Sequence, residues 1–450
     1  MKRKIVLGLL AVACASTLTL GLAACGDEGN QTGNGNYTPP NYTPPEAESN
    51  ELLKFKLNRD ESGYTVTGLA EGVTEANIKI PATYNNLPVT SIGERAFGSC
   101  RNLTSVTISP GVSVIESGAF TDCINIPSFK FPESITVIGD SAFQNCSGLR
   151  VLNFIGTSKL EKISSNAFQN CTNLLSIDIP ASVVTVGDRV FQSCSSLKSV
   201  NIGNGVKTIG VETFRGCENL ENVTMGNSLK EIGERAFLSC TKISEMRFPN
   251  SLERVGLGAL QDCTGIKKLT IPFVGSEKYS EPVPEEEQYS ENNHTNFGYI
   301  FGAEWFDDNY KITLDNLETV VITGDSPIGY HAFQSMGRFT NASETAGIGL
   351  SSIIITGNVK VIGTGAFQGC YNLKTLVIPK SVTDIGSQIL ELSVKVYYGG
   401  TADDWNSNLS GVNSYNNPIL LGSQRYYYSV AQPTESGSYW YYVDGVPTAW

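Results

Sequence analysis

The sequence predicts a repeat solenoid, in which one short structural unit stacks on copies of itself. Nine of the eleven cysteines return at a step of 23 residues, apart from one step that is two residues longer and a long gap before the last. Repetition at a period of about 20 to 29 residues is typical of solenoids, because a unit of that size cannot bury its apolar face alone. The nine positions are Cys100, Cys123, Cys146, Cys171, Cys194, Cys217, Cys240, Cys263 and Cys370.

Aligned on its cysteine, the unit reads Leu-x-x-Val-x-Ile-Pro-x-x-Val-x-x-Ile-Gly-x-x-Ala-Phe-x-x-Cys-x-x-Leu. Val-x-Ile has a period of two, which predicts a short strand with both apolar side chains inside. Ala-Phe-x-x-Cys-x-x-Leu has spacings of three to four, which fit one short helical turn. Stacking about ten such units predicts a parallel β-sheet along one face, with strands about 4.8 Å apart, and short helical turns opposite.

The combination of Ile-Pro, Ile-Gly-x-x-Ala-Phe and Cys resembles the repeat of the BspA-like family of bacterial leucine-rich repeat proteins, over about residues 60 to 400. The resemblance implies a right-handed leucine-rich repeat coil at the cell surface, and some relatives bind host matrix proteins. We therefore expect noncovalent binding of a surface protein or glycan, of host or bacterial origin. The alternatives are a structural spacer without a specific ligand and a glycan-processing enzyme.

Composition argues against several function classes. The net charge is −12, which makes nucleic acid an unfavourable partner. Two histidines, His294 and His331, are too few for a histidine-rich metal site, and no cofactor is expected. The chain has no Gly-x-Ser-x-Gly, His-Glu-x-x-His or Gly-x-x-x-x-Gly-Lys motif, and Glu285–Glu287 lie in a segment predicted to be a solvated loop. We expect a monomeric protein that is not an enzyme.

The first 50 residues are predicted to export and anchor the protein. A basic start, an apolar stretch and Leu22-Ala23-Ala24-Cys25 resemble a bacterial lipoprotein signal, which implies a signal peptide over 1–24 and lipidation of Cys25. A plain secretory signal is the alternative. Residues 25–50 then comprise the lipidated cysteine and a disordered tether, because almost none of their side chains could enter a core. This predicts a protein anchored through lipid to the outer side of the bacterial cell membrane or cell surface.

The repeat cysteines have two interpretations. Regularly spaced cysteines in an exported protein can form a disulfide framework. However, nine is an odd number, and each cysteine holds the same inward position, where it can act as a small apolar side chain. Side chains in register on neighbouring coils run parallel and do not point at each other. We therefore favour buried free thiols over bridges between coils.

An N-terminal cap is predicted over 51–90, followed by the solenoid over 91–398. A two-residue lengthening near Gly156–Leu160 has the character of ordinary loop variation. Larger insertions fall near 273–296, 302–316 and 334–349. The last two extend the same edge of adjacent coils, where solenoids often form binding surfaces.

The outward strand positions change character beside these insertions. The column is polar from Thr107 to Thr270 and then continues as Val321, Ile354 and Val377. Two interpretations stay open for this apolar strip and the nearby aromatic residues. It is a ligand-binding patch, or it is the floor beneath the insertions. The candidate binding residues are Trp305, Phe306, Val321, Phe339, Ile354 and Val377.

Residues 399–450 no longer follow the repeat and are rich in Tyr and Trp. The aromatic segments Tyr426–Tyr428 and Tyr439–Tyr442, with Asp444-Gly445 as a turn signal, predict a strand pair that caps the last coil. Trp-Tyr-Tyr-x-x-Gly also faintly resembles wall-binding repeats that stack on sugars, but only one copy is present. Packing as a cap is the favoured interpretation.

Overall fold

The computed structural model describes residues 51–154, 156–281, 295–312, 314–336, 338–339, 347–434, 437–443 and 446–450. The predicted signal peptide, the lipidated Cys25 and the tether lie outside these ranges. So do residues 282–294 and 340–346 of the predicted insertions, together with the Asp444-Gly445 turn signal. Within the described ranges, no helix combines the length and the apolar character needed to cross a membrane.

One face of each coil contributes a strand to a ladder that we call the long-strand ladder. In Ser199–Ile202, Val200 and Ile202 are buried while Asn201 points outward, which is the alternation that Val-x-Ile predicts. Equivalent residues of neighbouring coils pair in parallel register, as Val200 does with Ile177 and Val223. The pairing is interrupted after Ser105–Ile108, Val151–Phe154 and Asn222–Met225, and the last strand, Val446–Ala449, pairs antiparallel. The strands are Asn77–Ile80, Ser105–Ile108, Ser128–Phe131, Val151–Phe154, Ser176–Ile179, Ser199–Ile202, Asn222–Met225, Glu245–Arg247, Lys268–Ile271, Thr319–Ile322, Ser352–Ile355, Thr375–Ile378, Lys395–Tyr398, Gln424–Tyr428, Tyr439–Val443 and Val446–Ala449.

A second ladder forms where each repeat carries Val-x-x-Ile-Gly. The apolar residue of each pair points into the core, as Ile209 does beside Thr208. Its neighbour on the next coil is Ile232, again in parallel register. The strands of this second ladder are Leu53–Leu57, Tyr64–Leu69, Leu87–Ile92, Val114–Ile115, Val137–Ile138, Lys162–Ile163, Thr185–Val186, Thr208–Ile209, Glu231–Ile232, Arg254–Val255, Val361–Ile362 and Asp384–Ile385.

The remaining elements are short. Thr83–Tyr84 pairs antiparallel with Leu87–Ile92, and Arg338–Phe339 pairs antiparallel with Gly347–Ile348. The helical elements are the 3₁₀-helices Phe297–Phe301 and Phe306–Lys311 and the α-helices Ala402–Asn408 and Pro418–Gly422. The predicted repeat solenoid, with a parallel sheet along one face, is therefore confirmed.

The Ala-Phe-x-x-Cys segment closes the coil with turns and not with a continuous helix. The N–H of Thr121 donates to the carbonyl of Gly118, and that of Cys123 to the carbonyl of Phe120, as in a 3₁₀ turn. Gly118 and Asp122 have φ values of 62° and 60°, which stop the helix from continuing. The N–H of Phe120 points along the solenoid instead and donates to Ala142 of the next coil at 2.7 Å. Backbone hydrogen bonds thus join the coils on this side too.

Phenylalanine rings stack along the core at one per coil. Neighbouring ring centroids lie 5.1–5.5 Å apart, with the planes within 14° of parallel. Because each ring fills the space between two coils, the stack sets how closely the coils approach. The rings of this stack are Phe97, Phe120, Phe143, Phe168, Phe191, Phe214 and Phe237.

All nine repeat cysteines are free thiols in the structure, eight of them buried and Cys100 half-buried. Each buried thiol donates to the phenylalanine carbonyl of the preceding coil, as Cys123 does to Phe97 at 3.1 Å. Burial raises the pKa of Cys123 to about 12. Burial also raises the pKa of Cys100. Cys100 is the first of the nine repeat cysteines, so no preceding coil supplies a repeat phenylalanine carbonyl to accept its hydrogen bond.

Native protein is expected to alkylate at Cys100 first, because the thiolate is the reactive form and the other eight thiols are buried. After denaturation without reduction, all nine should react. Peptide mapping by mass spectrometry after timed alkylation with iodoacetamide measures both steps, and Cys100→Ser should remove the fast one. Recovery of disulfide-linked peptides from neighbouring coils would contradict the prediction.

Polar side chains along the turn edge also pair between coils. Asn145 donates to Asp122 and Asn170 donates to Asn145, both at 2.8 Å. A second series runs from Gln144 through Gln169 and Gln192 to Glu212, which is also held by Arg189 and Arg215. Burial acts to raise the pKa of Glu212, but the hydrogen bonds and charges of the two arginines outweigh it and hold the pKa below its ordinary value. Polar groups on this edge are thus largely satisfied within the protein.

Each end of the solenoid is covered by residues outside the repeat. At the N-terminal end, Leu53–Leu57 pairs antiparallel with Tyr64–Leu69, and Phe55 stacks on Tyr84 at 3.9 Å. At the other end, the last coil packs against the two α-helices and the aromatic strands that follow. Trp440 is 1% exposed, and its indole N–H donates to the carbonyl of Tyr398 at 2.8 Å.

Candidate functional site

A groove of about 990 Å³ lies on the outward face of the long-strand ladder and crosses four successive coils. Its floor carries one outward side chain from each coil, namely Asn153, Asp178, Asn201 and Thr224. Asp178, Asn201 and Thr224 pair in parallel register, so their Cα atoms follow the solenoid axis. Strand spacing makes the step between these positions about 4.8 Å.

Two glycines line the groove at equivalent positions of adjacent coils. Gly203 and Gly226 occupy the position that Pro180 holds in the preceding coil and that Pro132, Pro249, Pro272 and Pro379 hold in other coils. A Cβ atom at Gly203 would lie 2.6 Å from the carbonyl oxygen of Ile179, and one at Gly226 would lie 2.6 Å from that of Gly203. Because a Cβ atom at either position would meet the backbone of the preceding coil, both positions require glycine in this backbone geometry.

The two-residue lengthening of the third unit supplies one wall of the groove. Gly156, Thr157 and Ser158 lie along it, and Gly156 adopts a left-handed conformation with φ 65°. The sequence predicted only loop variation at this point. The structure places the insertion against the open face of the next three coils.

The floor side chains are not satisfied within the protein. Asn153, Asp178, Asn201 and Thr224 are all exposed, and none has a side-chain hydrogen bond or ion pair to any residue the structure describes. This contrasts with the turn edge, where Asn145, Asn170 and the glutamines bond from coil to coil. Four outward polar side chains on successive coils are therefore available to solvent or to a ligand.

Ser182, in the groove wall, adds a buried hydroxyl that lacks a partner among the described residues. The equivalent serines of other coils do not share this feature. Ser134 donates to the carbonyl of Val112, and Ser251 donates to that of Leu229, both at 2.7 Å. A buried hydroxyl without a partner costs free energy, so its position beside the groove points to a bound polar group or water.

The groove lining carries little charge. Asp178 is the only charged residue among its lining. Glycoside hydrolysis ordinarily needs two carboxyl groups that face each other across the substrate. Across the described residues, no group of three or more His, Cys, Asp and Glu side chains could hold a metal ion.

The strip predicted from the sequence lies elsewhere and begins three coils beyond the coil of Thr224. Val321, Ile354 and Val377 pair in register on the outward face, as predicted, and the column continues into Tyr397. Ile354 is 7% exposed and Val377 only 1%, whereas Val321 is half-buried. In this structure Ile354 and Val377 therefore expose almost no surface, and the binding role of the strip stays a prediction.

The aromatic tail forms part of that cover. Trp440, Tyr426 and Tyr428 pack in one cluster with the strip and Tyr397. Tyr397 stacks on Tyr426 at 5.0 Å and meets the edge of Trp440 at 5.5 Å. The sequence predicted that this tail caps the last coil, but it did not place the tail over the outward strip.

The other three predicted binding residues belong to the insertions. Trp305 is half-buried and immediately precedes the 3₁₀-helix Phe306–Lys311. Phe339 lies in the short strand Arg338–Phe339. The side chains of Phe306 and Phe339 lie outside the described part of the chain.

Sequence reasoning missed the groove, although two signals were present. One was the replacement of proline by glycine in two adjacent coils, at Gly203 and Gly226. The other was the lengthening near Gly156 in the coil beside them. Each signal is weak alone, and only the stacking of the coils brings them together.

Comparisons with known proteins agree with this architecture. The family described as "BspA type Leucine rich repeat region (6 copies)" matches residues 75–198, 161–279 and 342–396, which together cover more than half of the chain. A search of curated proteins finds no significant match.

Similar solved structures are bacterial leucine-rich repeat proteins. One from T. pallidum is 26% identical, covering 43% of this chain and 89% of its own, with a TM-score of 0.41. One from Bacteroides ovatus is 21% identical, with coverages of 84% and 98% and a TM-score of 0.47. A leucine-rich cell surface protein from Faecalibacterium prausnitzii is 24% identical, with coverages of 81% and 97% and a TM-score of 0.40. From the family match, as the repeat pattern predicted, this chain belongs to the BspA type leucine-rich repeat family.

Proposed function

We propose that this protein is a cell-surface binding protein whose solenoid captures a protein or glycan noncovalently in the groove over Asn153, Asp178, Asn201 and Thr224. The observation that carries the proposal is the row of four exposed polar side chains on successive coils, which have no partner among the residues that the structure describes. Family membership supports it, because solenoids of this kind offer extended surfaces for interaction. The cell-surface location is part of the proposal, because Leu22-Ala23-Ala24-Cys25 resembles a bacterial lipoprotein signal.

The groove also bears on the two alternatives. A structural spacer would need only a smooth polar face, and it gives no reason for a hollow with unsatisfied side chains. A glycan-processing enzyme would need a second carboxylate facing Asp178, and the groove lining has none. Binding is therefore the function that this geometry supports best.

Asn201→Arg is expected to weaken ligand capture at least tenfold, because it places a long charged side chain at the centre of the groove floor. Asn201 is exposed, so the fold should be retained. Biolayer interferometry of the full chain against a panel of extracellular matrix proteins, bacterial surface proteins and soluble glycans would measure the change.

Thr107→Arg is the matched control, because Thr107 occupies the same outward column on a strand outside the groove. Trp305→Ala, in the same assay, tests the surface predicted from the sequence. If Asn201→Arg leaves capture unchanged while Trp305→Ala abolishes it, the groove is not the site. Absence of any captured ligand would favour the spacer.

The same proposal includes the lipid anchor at Cys25, which lies outside the described residues. Cys25→Ser is expected to release the protein into the culture medium, because each buried acyl methylene contributes about 0.8 kcal/mol to membrane attachment. Immunoblotting of membrane and medium fractions measures the distribution, with Cys14→Ser as the control. Retention of Cys25→Ser in the membrane fraction would contradict lipidation at this residue.

A further inference from the structure

We propose that the groove binds an uncharged polysaccharide lying along the solenoid axis, with successive sugar units over successive coils. This inference rests on the proposed function, because it assumes that the groove is the binding site. It goes further by choosing between the two ligand classes. Three properties of the groove carry it: the hydrogen-bonding chemistry of its floor, the spacing of the coils and the near absence of charge.

The floor chemistry matches hydroxyl groups. Asn153 and Asn201 each offer a donor and an acceptor on one amide, Thr224 offers both on one hydroxyl, and Asp178 accepts. A sugar hydroxyl likewise donates and accepts, so it can satisfy each of these side chains. Protein interfaces are instead anchored by Trp, Tyr and Arg, and none of these lines the groove.

The lower edge of the groove adds an apolar contact. Phe154 and Met225 are half-buried there, whereas Ile179 and Ile202 on the coils between them are buried. The ring of Phe154 is fixed by stacking on Phe131 at 4.9 Å. A pyranose ring has a C–H face that can pack on such side chains while its hydroxyls reach the floor.

The spacing favours a sugar chain over an extended peptide. Equivalent floor side chains repeat at about 4.8 Å, whereas side chains on one side of a β-strand repeat at about 6.8 Å. A peptide strand along the axis would therefore lose register within two coils. One pyranose unit is about as long as one coil step, so a chain of about four units would contact all four floor positions.

The charge of the groove lining favours neutral polysaccharides over acidic ones. Asp178 is the only charged residue in the groove, and it is unpaired within the described structure. Lys130 and Arg247 stand at the next positions of the column on either side, outside the groove lining. Within the groove lining, an acidic polysaccharide would therefore meet a carboxylate and no cation, whereas Lys130 and Arg247 could reach only the sugar units at its two ends.

The test is isothermal titration calorimetry of the full chain with neutral oligosaccharides of two to eight units. These are derived from cellulose, mannan, xylan and starch, and oligogalacturonate serves as the acidic counterpart. At least one neutral series should bind, with affinity rising up to about four units and then levelling off. Oligogalacturonate should bind at least tenfold more weakly. Asn201→Ala should weaken binding about fivefold, as expected for one lost neutral hydrogen bond, and Asn153→Ala combined with Asn201→Ala more than tenfold.

Thr107→Ala, on the same column outside the groove, should leave the affinity unchanged. Equal thermal unfolding of all variants would show that the floor substitutions do not act through the fold. The inference is overturned if no neutral oligosaccharide binds, if oligogalacturonate binds better, or if binding does not respond to Asn201→Ala. Capture of a protein that Asn201→Arg blocks, without oligosaccharide binding, would overturn this inference and leave the proposed function standing.

Discussion

Phe191→Ala is expected to lower the free energy of unfolding by about 3–5 kcal/mol, the range for removing a fully buried aromatic ring. Phe191 is 0% exposed and lies between Phe168 and Phe214, with ring centroids 5.5 Å away on each side. The neighbouring coils cannot close the resulting cavity, because backbone hydrogen bonds on three sides hold their spacing. The cost should therefore lie near the upper end of that range.

Urea unfolding followed by circular dichroism measures this loss. Tyr415→Ala is the control, because Tyr415 is 95% exposed and its truncation should change stability by less than about 0.5 kcal/mol. Phe97→Ala should cost less than Phe191→Ala, since Phe97 stacks on Phe120 alone. A loss below about 1 kcal/mol for Phe191→Ala would mean that the coils can close up, against the rigid ladder described above.

The repeat made much of this fold predictable. In a solenoid, residues one period apart in sequence become neighbours in space, so an alignment of the repeats is also a map of contacts. The outward column illustrates this, because Thr270 pairs with Val321 and Val321 with Ile354 despite the long insertions between them. Identical inward positions likewise predicted that every cysteine would occupy the same site.

Segments outside the repeat could not be placed in this way. The repeat period does not predict that Trp440 contacts Tyr397, because this contact depends on the path of the tail, which does not follow the repeat. The groove was hidden for a related reason. Its lining combines Gly203 and Gly226 with the lengthened loop at Gly156. These residues lie on different coils, so the sequence does not show that they adjoin until the coils are stacked.

Loss of the aromatic tail is the second large effect that we expect. Trp440→Ala should lower the free energy of unfolding by about 3–5 kcal/mol, because it removes a ring that is 1% exposed. It also removes the hydrogen bond to the Tyr398 carbonyl and opens the cover over Val377. Trp440→Phe keeps an aromatic ring but loses the hydrogen bond, so it should cost about 1–3 kcal/mol for that donor and the smaller ring.

Removing residues 399–450 should have a larger effect than either substitution. It uncovers the outward strip together with the apolar end of the last coil, and exposed solenoid ends associate. Size-exclusion chromatography with light scattering should show oligomers, and binding of the dye ANS should rise relative to the full chain and to Tyr415→Ala. A truncated protein that stayed monomeric and unfolded at the same temperature as the full chain would show that the tail is a separate module. In that case Ile354 and Val377 would be stable without their cover, and the strip would again be a candidate surface for a ligand.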